Sequence, residues 1–431
     1  MQDLKQLIGQ SIMESDETRP LFIKNKEKMY KVMIIPLNYC HYNEKNGRIS
    51  TYISQYLSSG NELQKDNLEA YNQILEKFIY ESNPNALDKT KKNIQLVGQL
   101  EPGVVLNDGR IIDGNRRFTA LRKLQAEGKT DIYFKAILLD QSEGIDDKDI
   151  KKLELQLQHG KEKPVEYNPI DNLVDINQDL IENKLFTIEE YSQYVNKPVG
   201  DVKKMVKRSV LMNQFLQYIN AEKQYYIARD WEFDTIFQDI LNIIERQLKG
   251  IDVITILDAK SDNKSEVQEY LRIRNTLFTT ALSGRMLKTN TQKKQRRSDD
   301  LSRYIRDIGK YIIDTDKKDE YLEEMEDFVE DIYDTLHDHA QLDLNTLQEV
   351  SKDIEGTQQD IVTKGEDYID SGQLNDVKAK PISILNKVLK NFDYLDYVQL
   401  KYMDNETEQD FLTLYNKLKE EMKKIEEALR V

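Results

Sequence analysis

The chain is poor in cysteine and has no long apolar run. Its 431 residues include a single cysteine, Cys40, so an intramolecular disulfide is excluded and a reducing, cytoplasmic location is expected. A lone cysteine is more often a packing residue than a catalytic thiol. No apolar segment approaches the ~20 residues that span a bilayer, so no membrane partner is expected. The N-terminal residues lack the basic start and apolar core of a signal peptide.

The overall charge is acidic, but the charges are unevenly distributed. The formal net charge is -15, with 39% hydrophobic and 32% charged residues. This composition supplies enough apolar side chains for folded cores. It argues against a protein that coats nucleic acid non-specifically. Basic residues gather at positions 203–208 and 293–297, so a local basic face can contact DNA while the remainder stays acidic.

Short β-like runs concentrate in the first third of the chain, together with turn residues. Strand signals nearly vanish after Asp140, and helical patterns joined by polar turns follow. We therefore predict an α+β N-terminal domain over residues 1–150. It is followed by a helical domain with the helix-turn-helix over residues 151–258 and by an α-helical C-terminal domain over residues 266–431. The predicted strands lie at residues 32–35, 103–106, 110–112 and 132–139, and two helices between them at residues 87–96 and 118–124.

Residues 107–124, with the sequence NDGRIIDGNRRFTALRKL, have the features of an anion site. A short strand runs into a tight Asp-Gly turn, and two arginines follow at the start of a helix. A helix N-terminus carries unpaired N–H groups and partial positive charge, and Gly114 lets the backbone approach an anion closely. Arg116 and Arg117 add fork-shaped donors that suit phosphate. The alternative is a surface β–α turn whose arginines are merely solvated.

Residues 186–209 predict a helix-turn-helix. Thr187 and Glu190 form a capping box that starts one helix, which breaks before Pro198. A second helix from Val199 places apolar residues on one face and basic residues largely on the other, where lysines can neutralise DNA phosphates. The alternative is a helical hairpin with a solvated basic face. The candidate DNA-binding residues are Lys203, Lys204, Lys207 and Arg208.

Four segments follow one another in a recognisable order: residues 36–48, residues 86–105, the Asp113-Gly114-Asn115-Arg116-Arg117 turn with its helix, and Leu155-Gln156-Leu157-Gln158-His159 with Asn168-Pro169-Ile170-Asp171. This order resembles the N-terminal domain of the ParB and sulfiredoxin superfamily. The resemblance covers roughly residues 30–220 and also includes the helix-turn-helix. Asn115 stands where ParB proteins usually carry glutamate and where sulfiredoxins carry their reactive cysteine, so sulfinic-acid reductase activity is not expected.

The resemblance implies a domain that cradles a nucleoside triphosphate, CTP as in ParB clamps or ATP as in sulfiredoxins, in some cases with Mg²⁺. Arg48 and the segment around Gln158 are implied to close over the triphosphate, and the arginine box to hold its phosphates. The implied nucleotide-binding residues are Arg48, Asp113, Gly114, Asn115, Arg116, Arg117 and Gln158.

These features predict a ParB-like, nucleotide-responsive DNA-binding protein of partition or regulatory type, with double-stranded DNA and a second copy of the chain as candidate partners. A catalytic ParB-like domain, NTPase or nuclease, in nucleic-acid processing or phage defence is the alternative. A protein-interaction scaffold without nucleotide binding is a third reading. The sequence identifies no catalytic residue and no metal site, which counts against a nuclease.

The last helical segment carries a stripe of apolar residues spaced alternately by three and four positions. We expect this stripe to pack on other helices of the chain, with a short coiled coil as the alternative. The stripe consists of Tyr415, Leu418, Met422, Ile425 and Leu429.

Overall fold

A computed structural model describes residues 3–24, 26–159, 168–257, 264–290, 297–392 and 394–429. Residues 258–263, which lie at the predicted boundary between the two helical domains, and most of the basic cluster at 293–297 lie outside these ranges. The described chain is mixed α+β, with one five-stranded sheet in its N-terminal part and helices in the rest.

The sheet has the strand order β1-β2-β5-β3-β4. β3 and β5 run parallel, and the other neighbouring pairs are antiparallel. The parallel pair is joined by a crossover through β4 and a helix, as parallel strands require. The strands are β1 (Met13–Ile23), β2 (Lys26–Pro36), β3 (Gly103–Leu106), β4 (Ile111–Asp113) and β5 (Tyr133–Leu139).

Four of the five strands coincide with the β-like runs of the sequence. β1 was not predicted, because its residues 13–20 are mostly polar and lack an apolar alternation. The structure explains this composition: β1 is an edge strand, and its residues are exposed or half-buried up to Pro20. Only Leu21 and Ile23 at its end are buried.

Alternate residues of the strands point into two different cores, as the two-residue period of a strand requires. Ile35, Val105 and Ile111 pack with the helices on one face of the sheet. Val104 and Ile112 belong to the core on the other face. Cys40 is buried in the first core, and burial raises the pKa of its thiol far above the ordinary value, which agrees with the predicted packing role.

Helices cover the sheet and build the rest of the chain. None of the helices in the described ranges has both the length and the apolarity needed to cross a membrane. The first nine helices are α1 (Ser50–Ser58), α2 (Leu68–Ser82), α3 (Pro84–Val97), α4 (Asn115–Ala126), α5 (Asp147–His159), α6 (Pro169–Asn177), α7 (Ile188–Val195), α8 (Val199–Tyr218) and α9 (Tyr225–Asp230). The others are α10 (Asp234–Gln247), α11 (Lys264–Asn290), α12 (Leu301–Ile308), α13 (Lys318–His337), α14 (Leu344–Asp353), α15 (Glu355–Phe392) and α16 (Asn405–Leu429).

The chain comprises two compact units, Met1–Ile369 and Asp370–Val431. Within the first unit, one hydrophobic core extends from Ile170 to Ile369. Helices on both sides of the predicted boundary at residues 258–266 therefore contribute to the same core. A smaller core joins Leu155 of α5 to the helix-turn-helix.

The second unit exposes much of its apolar surface. In the apolar stripe of α16 only Leu418 is half-buried, and the other four members are exposed. Within its own unit the stripe is therefore not buried against another helix, contrary to the predicted packing, because α16 has no buried residue.

Candidate functional site

A cleft of about 610 Å³ lies beside the sheet, at the start of α4. It gathers residues from four regions that are far apart in sequence: the turn before α1, helix α3 with the loop after it, the β4–α4 turn, and the end of α5. All seven residues that the sequence predicts to bind a nucleotide line this cleft, namely Arg48, Asp113, Gly114, Asn115, Arg116, Arg117 and Gln158.

The β4–α4 turn has the strand-turn-helix geometry expected of an anion site. Gly114 is the N-cap of α4, with a φ of 102°, and no side chain caps this helix end. A Cβ at this position would lie 2.9 Å from the Phe134 ring and 3.2 Å from the Gly103 Cα, so both the space and the backbone conformation require glycine. The first N–H groups of α4 are thus available to an anion at the cleft.

The two arginines that follow differ in their surroundings. Arg117 is only 15% exposed, and its guanidinium donates to Asp113 at 2.7 Å and to Glu101 at 2.9 Å. It therefore ties β4 to the loop before β3. Arg116 is half-buried and lines the cleft.

Asn115 places an unsatisfied acceptor in the same region. Its Oδ1 is buried and has no hydrogen-bond partner among the described residues. A buried carbonyl oxygen without a donor is unfavourable, so this atom fits the donor of a ligand or a water molecule. Among the described residues, the cleft is lined by four cationic side chains, those of Arg48, Lys89, Arg116 and Arg117, and by the carboxylates of Glu101 and Asp113.

Arg48 comes from a short turn that is fixed on both sides. The Asn46 side chain caps this turn by accepting from the Arg48 N–H at 3.1 Å. Gly47 lies against the Asp175 carboxylate, because a Cβ there would be 2.8 Å from its Cγ. The turn is thereby held against α6 while Arg48 reaches the cleft.

The wall formed by α3 and the loop after it was not identified from the sequence. Lys89, Thr90 and Asn93 of α3 line the cleft, as do residues 98–101. Gln99 holds this loop in place, because its side chain accepts from the Lys135 N–H at 2.9 Å and donates to the Lys135 carbonyl at 2.8 Å. The helix was part of the family resemblance, but the sequence carries no motif that marks its cleft-facing side.

A buried charged cluster lies between α5 and α6, and its Glu154 is one helical turn before Gln158. The Lys151 ammonium lies 2.6 Å from Asp175, 3.4 Å from Asp179 and 3.8 Å from Glu154. Burial raises the pKa of Glu154 to about 7 and that of Asp179 to about 8. Burial disfavours the ammonium form of Lys151, but the surrounding carboxylates outweigh it and hold the pKa well above the ordinary value.

The two helices predicted within residues 186–209 are both present. The reciprocal capping box of Thr187 and Glu190 starts α7, and Asn196, with a φ of 52°, ends it. α8 then begins after Pro198 and buries Val202 and Val206 against α5, α6 and α7.

The four predicted DNA-binding residues do not share one environment. Lys203 and Lys204 are exposed near the start of α8. Lys207 pairs with Glu245 at 2.7 Å, and Arg208 pairs with Asp234 at 2.8 Å. Both acids belong to α10, so the ion pairs of Lys207 and Arg208 hold α8 against α10.

Helix α5 touches both the cleft and the helix-turn-helix. Gln158 lines the cleft, and its Nε2 donates to Glu154 at 3.1 Å. Leu155 is fully buried in the core of the helix-turn-helix. Lys148 at the other end pairs with Glu190 of α7 at 3.4 Å.

No known family model matches the chain, and no curated protein matches it either.

Proposed function

We propose that the chain is a nucleotide-responsive DNA-binding protein of ParB-like type, whose cleft binds a nucleoside triphosphate, CTP or ATP, together with Mg²⁺. The observation that carries this proposal is the convergence of residues from the Arg48 turn, the arginine box and the Gln158 segment on one cleft. If the arginines were merely solvated on a surface turn, there would be no reason for these three segments to converge on one cleft.

The phosphate end of the proposed site is the start of α4. The uncapped N–H groups and Arg116 bind the phosphates, and Arg48 closes over them from the opposite segment. A phosphate competes with Glu101 for Arg117, since the Glu101 side chain is 69% exposed and is readily displaced. Asp113, at 19% exposure, stays paired with Arg117 and keeps it oriented.

The DNA-binding surface in this proposal is the start of α8. Lys203 and Lys204 are exposed there, where the second helix of a helix-turn-helix enters a major groove. Two lysines at this position neutralise duplex phosphates at little cost, because neither forms an ion pair with another residue in the described part of the chain. Partition and regulation both require such a reader.

The catalytic alternative, an NTPase or nuclease, has no specific feature in its favour. A nuclease centre is usually built from carboxylates or histidines that converge on a metal ion. Within the described ranges, no group of three or more His, Cys, Asp or Glu side chains is arranged to hold a metal. The carboxylates near Gln158 surround the Lys151 ammonium instead.

Isothermal calorimetry with CTP, ATP and GTP in the presence of Mg²⁺ tests the nucleotide site. We expect one triphosphate to bind to the wild type and to bind less tightly to Arg116→Ala. Arg303→Ala is the matched control, because this arginine is 71% exposed on α12 and does not line the cleft. Absence of binding by all three nucleotides to the wild type contradicts the proposal.

A further inference from the structure

The charged cluster behind the cleft contains more acid than base. Glu154, Asp175 and Asp179 surround one cation, Lys151, and all three acids are less than 10% exposed. A buried carboxylate without full compensation by a cation gains stability by taking up a proton. With three acids around one cation, the cluster can therefore bind an additional proton. A cluster with one base for each acid has no such tendency.

One hydrogen bond connects this cluster to the cleft. The Gln158 amide donates to Glu154 at 3.1 Å, and Gln158 lines the cleft. Arg48, which lines the same cleft, favours the ionised form of Glu154 through its positive charge. A triphosphate in the cleft acts on both, because it attracts Gln158 and Arg48 and adds negative charge nearby.

Both the hydrogen bond from Gln158 and the positive charge of Arg48 act on Glu154. Asp171 is also buried, but it accepts from the Thr51 N–H at 3.1 Å and is not one of the three carboxylates that surround the Lys151 ammonium. The charged and titratable groups that face the cluster are Lys151 and Glu154 on α5, Asp171 and Asp175 on α6, Asp179 on the turn after α6, Arg48 before α1, Tyr191 on α7 and, towards Asp171, Arg229 on α9.

We propose that triphosphate binding in the cleft is coupled to the uptake of a proton by this cluster, and that Glu154 is the linking residue. This inference rests on the proposed nucleotide site and adds a regulation of that site by pH. It assigns Gln158 a second role, as the contact through which the ligand and the proton affect each other.

The direction of the pH effect follows from the two states of Glu154. Its pKa in the ligand-free protein is about 7, and withdrawal of Gln158 together with added phosphate charge raises it further. The bound state then holds more protons than the free state, so affinity is highest below pH 7 and falls as the pH rises above it. At pH 7 a group with this pKa is half protonated, which limits the uptake by Glu154 to about half a proton.

Calorimetry at pH 7 in two buffers with different ionisation enthalpies measures the proton uptake on binding. We expect the wild type to take up about half a proton more than Glu154→Gln. Protons exchanged by the triphosphate itself are common to both proteins and cancel in this difference. Glu323→Gln, on the exposed face of α13, is the matched control and should behave as the wild type.

Two further measurements keep the test decisive if Glu154→Gln folds poorly. The wild-type Kd should rise about threefold to tenfold between pH 7 and pH 8.5. Gln158→Leu should bind with reduced proton uptake, because it removes the connecting hydrogen bond and leaves the cluster intact. If the wild type and Glu154→Gln take up equal numbers of protons on triphosphate binding, this inference is overturned, while the proposed nucleotide site is unaffected. Absence of triphosphate binding to the wild type overturns both.

Discussion

The residues of the cleft were predicted from a strand-turn-helix motif and a family resemblance, and those of the α8 face from a run of basic residues. The two sets of side chains lie in different kinds of environment. The residues of the cleft come from separate segments and converge on one helix N-terminus. The four basic residues of α8 are close neighbours in sequence, yet two are exposed and two are paired with α10. Proximity in sequence is thus a weak guide to shared function, because the neighbouring helix decides which side chains remain available.

The largest expected effect concerns the buried charged cluster around Lys151. Lys151→Met leaves three buried carboxylates without their cation, so we expect a loss of about 3–5 kcal/mol in the free energy of unfolding. Urea denaturation at pH 7.5 measures it. Lys148→Met is the control on the same helix, and its exposed pair with Glu190 should contribute less than about 1 kcal/mol. Equal losses in the two variants contradict a special role of the buried cluster.

The second prediction separates the two arginines of the cleft. Removing either should weaken triphosphate binding by about 1.5–3 kcal/mol, the range for a charged hydrogen bond. Arg117→Ala should also lower the free energy of unfolding, because it leaves Asp113 without its partner at 2.7 Å. If Arg117→Ala lowers stability but binds triphosphate as the wild type does, Arg117 is only a brace.

The third prediction separates the two halves of the basic face of α8. Lys203→Ala with Lys204→Ala should reduce duplex binding and flatten its salt dependence by about 1.8 in log–log slope, for two phosphate contacts. Lys207→Ala should change the salt dependence little, because this lysine is paired with Glu245. Fluorescence anisotropy across a salt series measures both. Lys26→Ala with Lys28→Ala, exposed on β2, controls for the change in net charge. An equal slope change in this control means that α8 is not the reader.

Sequence reasoning succeeded where a local rule fixes the structure. The capping box at Thr187, the glycine at position 114 and the apolar runs of β2, β3 and β5 each specify their conformation within a few residues. A short motif of this kind contains the physical reason for its own geometry, so no tertiary contact has to be known.

Features that depend on distant partners were not predictable. β1 carries little apolar pattern because it is an edge strand, and its place in the sheet comes from pairing with β2. The ion pairs of Lys207 and Arg208 depend on α10, about thirty residues away. The apolar stripe of α16 has the spacing of a packed helix, and its exposure cannot be inferred from that spacing.

We expect the cleft and the helix-turn-helix to act together through α5. Its Gln158 lines the cleft, and its Leu155, about one helical turn away, is buried in the core of the helix-turn-helix, so we expect a ligand that moves Gln158 to change the packing of Leu155. Coupling between two such sites is typically about 1–3 kcal/mol and must be reciprocal.

The most direct test compares the duplex affinity of the wild type with and without a saturating concentration of the triphosphate that binds it. We expect a change of roughly fivefold or more, which corresponds to a coupling of ~1 kcal/mol. The change can have either sign, since a nucleotide can favour the loading or the release of DNA. Equal affinities in the two conditions would contradict the account and would leave two independent modules in one chain.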